Sequence, residues 1–212
     1  KKKSSFAVVN KINKNYPLSK QVKVKNTLNF LSKCSSIFRE NISTKIISIT
    51  GSCGKTTLKE MIGLTLSKIS KTSYSPKSYN NRYGVPLSLF NIKNNDEFGV
   101  LEVGMDKRGE IDNLTKIIKP DLGIITNISY AHSKNFKNIN QIADAKAEII
   151  NNIKKGGTIV LNKDDKFYNF HKNLGLKKKL KVVSFSIKDK SSNIKLNKIK
   201  KIKNKYKLFI KT

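Results

Sequence analysis

A strand-like run, Lys45-Ile-Ile-Ser-Ile-Thr50, leads directly into Gly51-Ser52-Cys53-Gly54-Lys55-Thr56-Thr57, and a helix-like stretch follows. Strand, glycine-rich turn, Gly-Lys-Thr and helix in that order are what a phosphate-binding loop requires. Glycines let the backbone turn so that its N–H groups face a phosphate, and the helix N-terminus adds favourable partial charge. Lys55 would reach the β- and γ-phosphates of a nucleotide, and the Thr56 hydroxyl would ligate Mg²⁺. The general pattern has a further glycine where Ile49 stands, so this loop is a shortened variant. Gly51, Ser52, Cys53, Gly54, Lys55, Thr56 and Thr57 are therefore the candidate nucleotide contacts.

The elements that must hold such a loop can be read from periodicity. Strands are expected at Lys45–Thr50, Gly99–Val103, Leu122–Thr126, Thr158–Leu161 and Val182–Phe185, and helices at Lys55–Ile69, Val85–Asn91, Glu110–Ile118 and Ile139–Ile153. Short apolar strands separated by helices predict an α/β fold: a mostly parallel sheet covered on both faces. Residues 1–44 read as a lead-in, with a strand near Phe6–Asn10 that would end a preceding domain and a helix over Val24–Arg39. Residues 45–212 then form the nucleotide-binding domain. From Asn193 onward, Ile194, Leu196, Ile199, Ile202, Tyr206, Leu208 and Ile210 alternate partly with lysines. Two late antiparallel edge strands fit that spacing better than a basic amphipathic membrane segment.

Composition narrows the function classes. With 212 residues, 37% of them hydrophobic, the chain can bury a core. No apolar run approaches the roughly 20 residues of a membrane span, and no secretory signal is visible. Only two cysteines occur, Cys34 and Cys53, one of them in the loop, which fits a reducing cytoplasm better than a disulfide framework. The net charge of +30 raises the possibility of a basic nucleic-acid-binding protein with a phosphate loop. Yet nearly all of that charge is lysine, and arginine, whose fork reads bases, occurs only at positions 39, 82 and 108. Lysine, asparagine and isoleucine are abundant together, as in chains of AT-rich coding, so nucleic acid is not the expected partner. The charge would still steer anionic nucleotides toward the site.

The loop does not stand alone. Thr50-Gly-Ser-Cys-Gly-Lys-Thr-Thr-Leu-Lys-Glu60 is similar to the nucleotide loop of the Mur ligase family. Further segments follow in the family's order. These are Asn80-Asn81-Arg-Tyr-Gly84-Val-Pro86, Val100-Leu-Glu102-Val-Gly104 with Arg108-Gly-Glu-Ile111, Pro120-Asp121, Thr126-Asn127-Ile128 with Ala131-His132, Ile142-Ala-Asp-Ala-Lys146-Ala-Glu148-Ile, and Val160-Leu-Asn162-Lys-Asp164-Asp165. Within the family, the Asn-Asn-X-X-Gly-Val-Pro and Ala-Lys-Ala-Glu-Ile elements most resemble members that add D-alanyl-D-alanine to a UDP-muramoyl tripeptide. A ligase for another amino acid, or a folylpolyglutamate synthase, is the alternative. The family often has Gly-Asn where Lys77-Ser78 stand, and often Asn where Cys53 stands.

The resemblance implies an ATP-dependent, ADP-forming amide ligase of cell-wall precursor synthesis, cytoplasmic and monomeric, with Mg²⁺ at two sites. Thr56 would serve the nucleotide's Mg²⁺. Glu102 and His132 would help hold a second, with Lys146 at the position of the family's carbamylated lysine. Lys55, His132 and Lys146 are then the candidate catalytic residues. Asn81 would face nucleotide and substrate, and Asn162, with Asp165, the adenosine. Each residue has a plainer reading too: Glu102 a sheet-end carboxylate, His132 a loop residue, Lys146 a solvated lysine, Asn162 and Asp165 a turn. The resemblance also implies two further domains, for the UDP-bearing substrate and for the incoming amine, so that this chain by itself is expected to turn over poorly.

Overall fold

The computed structural model describes residues 4–130, 135–203 and 205–212. Two short parallel strands, β1 (Ala7–Val9) and β2 (Gln21–Lys23), form a sheet of their own near the start. Helix α1 (Thr27–Glu40) follows. It starts at Thr27 rather than Val24 because the Asn26 carboxamide accepts a hydrogen bond from Asn29 N (2.9 Å) and caps it.

The main body alternates strand and helix as the periodicity predicts: β3 (Lys45–Thr50), α2 (Lys55–Leu66), β4 (Thr72–Tyr74), α3 (Gly84–Phe90), β5 (Phe98–Glu102), α4 (Glu110–Ile118), β6 (Leu122–Ile125), α5 (Ile139–Asn151), β7 (Thr158–Asn162), α6 (Tyr168–Lys177), β8 (Lys181–Ser186), β9 (Ile194–Ile202) and β10 (Lys205–Lys211). Eight strands make one sheet in the order β10-β9-β8-β7-β6-β3-β5-β4, parallel from β4 through to β9. The chain leaves β3 toward β4 and β5 on one side and returns past it to β6 on the other, so β3 lies where the winding reverses. Ligands of open parallel sheets bind outside the carboxyl ends of strands at such a point.

Alternation along β3 splits the core in two. Ile47 and Ile49 face α2, with Val100, Ile124, Leu58, Ile62 and Leu66. Ile46 faces the opposite layer of α3, α4 and α5, with Val85, Leu89, Leu101, Ile111 and Ile149. Arg39 locks α1 onto this layer: its guanidinium, 3% exposed, donates to Ile118 O (2.6 Å), Lys119 O (3.2 Å) and the Asp121 carboxylate (3.1 Å). The lysine-rich tail folds as the expected edge hairpin. β9 and β10 pair antiparallel, and β9 joins β8 only at Phe185↔Ile194 and Ser186↔Lys195.

The periodicity does not announce β2, β4 or α6, nor the single 3-10 turn at Leu18–Lys20. The strands have three residues each, and α6 is rich in asparagine and lysine. α6 buries His171 (2% exposed), whose Nε2–H donates to Ala143 O of α5 (3.2 Å). Burial holds that imidazole below its ordinary value of 6.5, against smaller opposing effects of Ala143 O, Asp165 and Asp144. The fold thus disfavours imidazolium, and the unfolded chain takes up the proton first, so this contribution to stability is whole above pH 6.5 and is lost as pH falls below it. His171→Gln is expected to flatten the acid side of a stability-versus-pH curve from denaturant melts. An unchanged acid slope would show that other groups set it.

Candidate active site

The loop after β3 is built to stay open. Gly51 has φ +144°, and a Cβ there would lie 1.9 Å from Thr126 Oγ1. Gly54, at φ +80°, turns the chain into α2. The segment after β6 straps the loop from outside. Ser52 N donates to Asn127 O (2.9 Å), Cys53 N to Asn127 Oδ1 (3.0 Å), and the Thr126 hydroxyl to Cys53 O (2.7 Å). Ser52 Oγ donates to Ser129 O (3.0 Å) and accepts from Ser129 N (2.8 Å). The strap is itself held from β7, because the Asp165 carboxylate accepts from Ile128 N (2.7 Å) and Phe167 N (2.9 Å).

Inside the loop, Lys55 Nζ curls back onto Gly51 O (3.0 Å) and Ser52 O (3.4 Å). An ammonium resting on neutral carbonyls is placed to exchange them for phosphate oxygens, which bind it more strongly. One residue on, the Thr56 hydroxyl donates to Glu102 Oε2 (2.7 Å) at the end of β5, and Asn80 Nδ2 donates to Glu102 Oε1 (2.7 Å). Glu102 is 1% exposed, and among the described residues its carboxylate is held by these two neutral donors. A buried carboxylate partnered by neutral groups is an incomplete arrangement, and a cation beside it would complete it. An oxygen set of carboxylate and hydroxyl suits Mg²⁺. Among the described residues no group of three or more His, Cys, Asp or Glu side chains gathers into a metal cluster.

Lys146 lies on α5, buried to 1% exposure. Its amine is pushed down to about 7, first by burial, then by the Lys55 ammonium, with Cys53 opposing. Lys146 therefore sits within electrostatic reach of the loop and is ready to be neutral near pH 7, unlike the solvated lysine of the plainer reading. Two residues on, the half-buried Glu148 accepts from Gly109 N (2.7 Å) and Asp112 N (3.1 Å) and anchors the start of α4. Burial raises its carboxyl above the ordinary range.

A cleft of about 660 Å³ opens beside the loop, lined by Lys55, Asn80, Asn81, Arg82, Met105 and Asn113 among others. Asn81 is on its wall, and its Oδ1 also accepts from Tyr83 N (3.0 Å) and Gly84 N (2.9 Å), fixing the start of α3. Asn162 ends β7, where its Oδ1 accepts from Asp164 N (3.0 Å). His132 lies outside the described residues. The structure thus brings Lys55 and Asn81 to one cleft, ties Thr56 and the buried Glu102 to its wall through Asn80, places Lys146 nearby, and gives Asn162 and Asp165 turn and bracing contacts. Sequence reasoning passed over Asn80 in favour of its neighbour Asn81. It also passed over the strap residues Thr126, Asn127 and Ser129, of which Thr126 and Asn127 stood in a noticed segment.

Residues 49–212 match the Mur ligase middle domain. Over 173 residues the chain is 36% identical to the UDP-N-acetylmuramoyl-tripeptide–D-alanyl-D-alanine ligase of Buchnera aphidicola subsp. Baizongia pistaciae, covering 81% of this chain and 37% of that one. A crystal structure of MurF from Acinetobacter baumannii superposes with a TM-score of 0.87 at 28% identity, covering 97% of this chain and 44% of that chain. MurF ligase from Thermotoga maritima in complex with ADP gives 0.83 at 24% identity, covering 98% and 47%, a likeness of fold. The chain therefore spans less than half the length of these relatives.

Proposed function

Because this chain belongs to the Mur ligase family, we propose that it is the ATP-binding central part of an ADP-forming ligase that joins D-alanyl-D-alanine to a UDP-N-acetylmuramoyl tripeptide in peptidoglycan synthesis. The observation that carries this reading is the Thr56–Glu102 contact, which couples a phosphate loop to a buried carboxylate held behind the Asn80 wall of the cleft. The relatives' reaction and the ADP complex of the Thermotoga protein support it. Residues 1–44 belong with the end of a substrate-binding domain and 45–212 with the central domain, in a cytoplasmic enzyme; no helix of the described residues is long and apolar enough to cross a membrane.

The chemistry joins two anions. A carboxylate oxygen of the tripeptide attacks the γ-phosphorus of ATP, the bond to the β-phosphate oxygen breaks, and ADP leaves. The amine of D-alanyl-D-alanine then attacks the acyl carbon, the acyl–oxygen bond breaks, and phosphate departs as the amine loses a proton. Backbone N–H groups of Gly54–Thr56 at the start of α2 and the Lys55 ammonium bind and orient the triphosphate. Thr56 would hold the nucleotide's Mg²⁺ beside Glu102, and Glu102, with His132 and a carbamylated Lys146, would help hold a second. Bound there, the ions screen the two anions from each other. Asn81 would orient the reacting groups from the cleft wall and Asn162 would contact the adenosine. The protein that carries this chain is expected to release ADP over many turnovers only when the UDP-muramoyl tripeptide and D-alanyl-D-alanine are both present. ADP release driven equally by glutamate or diaminopimelate would assign it to another ligase of the family.

A further inference from the structure

Lys59 lies one turn beyond Thr56 on the same face of α2, and its side chain is fully buried. Its three N–H bonds are all taken: Ser75 O at 2.7 Å, Lys77 O at 2.6 Å and the Glu60 carboxylate at 2.8 Å. A buried ammonium is costly, and a well-packed apolar residue of similar volume often serves stability as well. What the two carbonyls bring is location, for they belong to the segment that leads from β4 to Asn80. That segment has a left-handed residue, Lys77 (φ 49°), and its Ser75 hydroxyl accepts from Glu102 N (3.2 Å). At its far end Asn80 O accepts from Gly104 N (2.8 Å), and the Asn80 carboxamide sits so close to Gly104 that a Cβ there would come within 2.8 Å of it.

These contacts close a ring. Thr56 and Lys59 leave α2 on one face, and Thr56 meets Glu102 directly. Lys59 meets the Ser75–Lys77 backbone, and Asn80 brings that segment back to the other oxygen of Glu102. Resting on the ligase reading above, we propose that Lys59 is a positioning residue. It fixes the Ser75–Asn80 segment against the phosphate-loop helix, so that Asn80 aims the Glu102 carboxylate at a divalent cation shared with Thr56 and the nucleotide. No part of Lys59 touches the reacting atoms.

Two readouts on this chain test the role. In the ligand-free protein, hydrogen exchange at the Gly104 amide is expected to be about tenfold faster in Lys59→Met, because the carbonyl that it meets is no longer held. The Val103 amide, bonded to Ile49 O in the sheet at 2.8 Å, is expected to keep its rate. In calorimetry with a non-hydrolysable ATP analogue, the gain in affinity on replacing EDTA by Mg²⁺ is expected to fall about tenfold in Lys59→Met and in Asn80→Ala, with little further loss in the double variant. Affinity in EDTA is expected to stay within about twofold, since the loop's own N–H groups are untouched. Asn80→Ala leaves the Lys59 contacts whole and carries the test if Lys59→Met loses its fold. An unchanged Gly104 rate, or a Mg²⁺ gain that survives in both variants, overturns the role of Lys59 alone. Absence of any Mg²⁺ gain in the wild-type chain overturns the ligase reading, and the cation role with it.

Discussion

Lys55→Ala is expected to weaken binding of a non-hydrolysable ATP analogue by about 100-fold or more, roughly 3 kcal/mol. The ammonium makes its contacts with Gly51 O and Ser52 O in a loop whose shape is kept by other bonds, those of Ser52, Cys53 and Thr126 with the strap. Removing the side chain therefore takes away a charge without collapsing the cradle, and the melting temperature is expected to move little. The same substitution removes a neighbouring positive charge from Lys146, so the Lys146 amine is expected to rise from about 7. Titration of that amine by NMR gives a second check independent of nucleotide. Unchanged affinity in Lys55→Ala would mean that the triphosphate does not sit in this loop.

Lys146→Met is expected to raise stability while removing ligation. Burial and the Lys55 ammonium depress the Lys146 amine from 10.5 to about 7. The unfolded chain therefore holds a proton that the folded chain lacks between those two values, and stability rises with pH across that window. Below about pH 7 the folded state bears the whole cost of the buried charge, on the order of a few kcal/mol. Methionine removes the charge at similar volume, so the variant is expected to melt higher at pH 7 and to lose the slope between pH 7 and 10.5. A residue kept against stability at this depth is kept for chemistry. The depressed amine also fits carbamylation, since only the neutral form adds carbon dioxide, and the carbamate supplies anionic oxygens where an ammonium would repel Mg²⁺. A variant no more stable than wild type at pH 7, with ligation intact, would show that the Lys146 amine serves neither the metal site nor the reaction.

Much of the architecture could be read from the chain because the signals were local. The bounds of β3 and α4 coincide with the periodicity, and α2 begins at Lys55 where the glycine turn ends. α2 and α5 stop two or three residues early, at Leu66 and Asn151, where the apolar pattern continues but the backbone does not. The hidden part of the site is the part made by distant segments. Lys59 and Lys146 look like any other lysines in a chain of +30, and only burial separates them from the solvated ones. Asn80 and Asn81 are neighbours in sequence, yet one aims at Glu102 and the other caps α3. The ring through Ser75, Asn80 and Glu102 spans β4, the turn after it and β5, and no spacing rule within one element reports it.

At this site the protein is proposed to activate a carboxylate as an acyl phosphate. The most direct test is to supply the carrying protein with a UDP-muramoyl tripeptide labelled with heavy oxygen in its terminal carboxylate, together with ATP, Mg²⁺ and D-alanyl-D-alanine. An acyl phosphate route leaves one heavy oxygen in each inorganic phosphate released, with ADP as the nucleotide product. Label in AMP, or phosphate free of label alongside amide product, would contradict it.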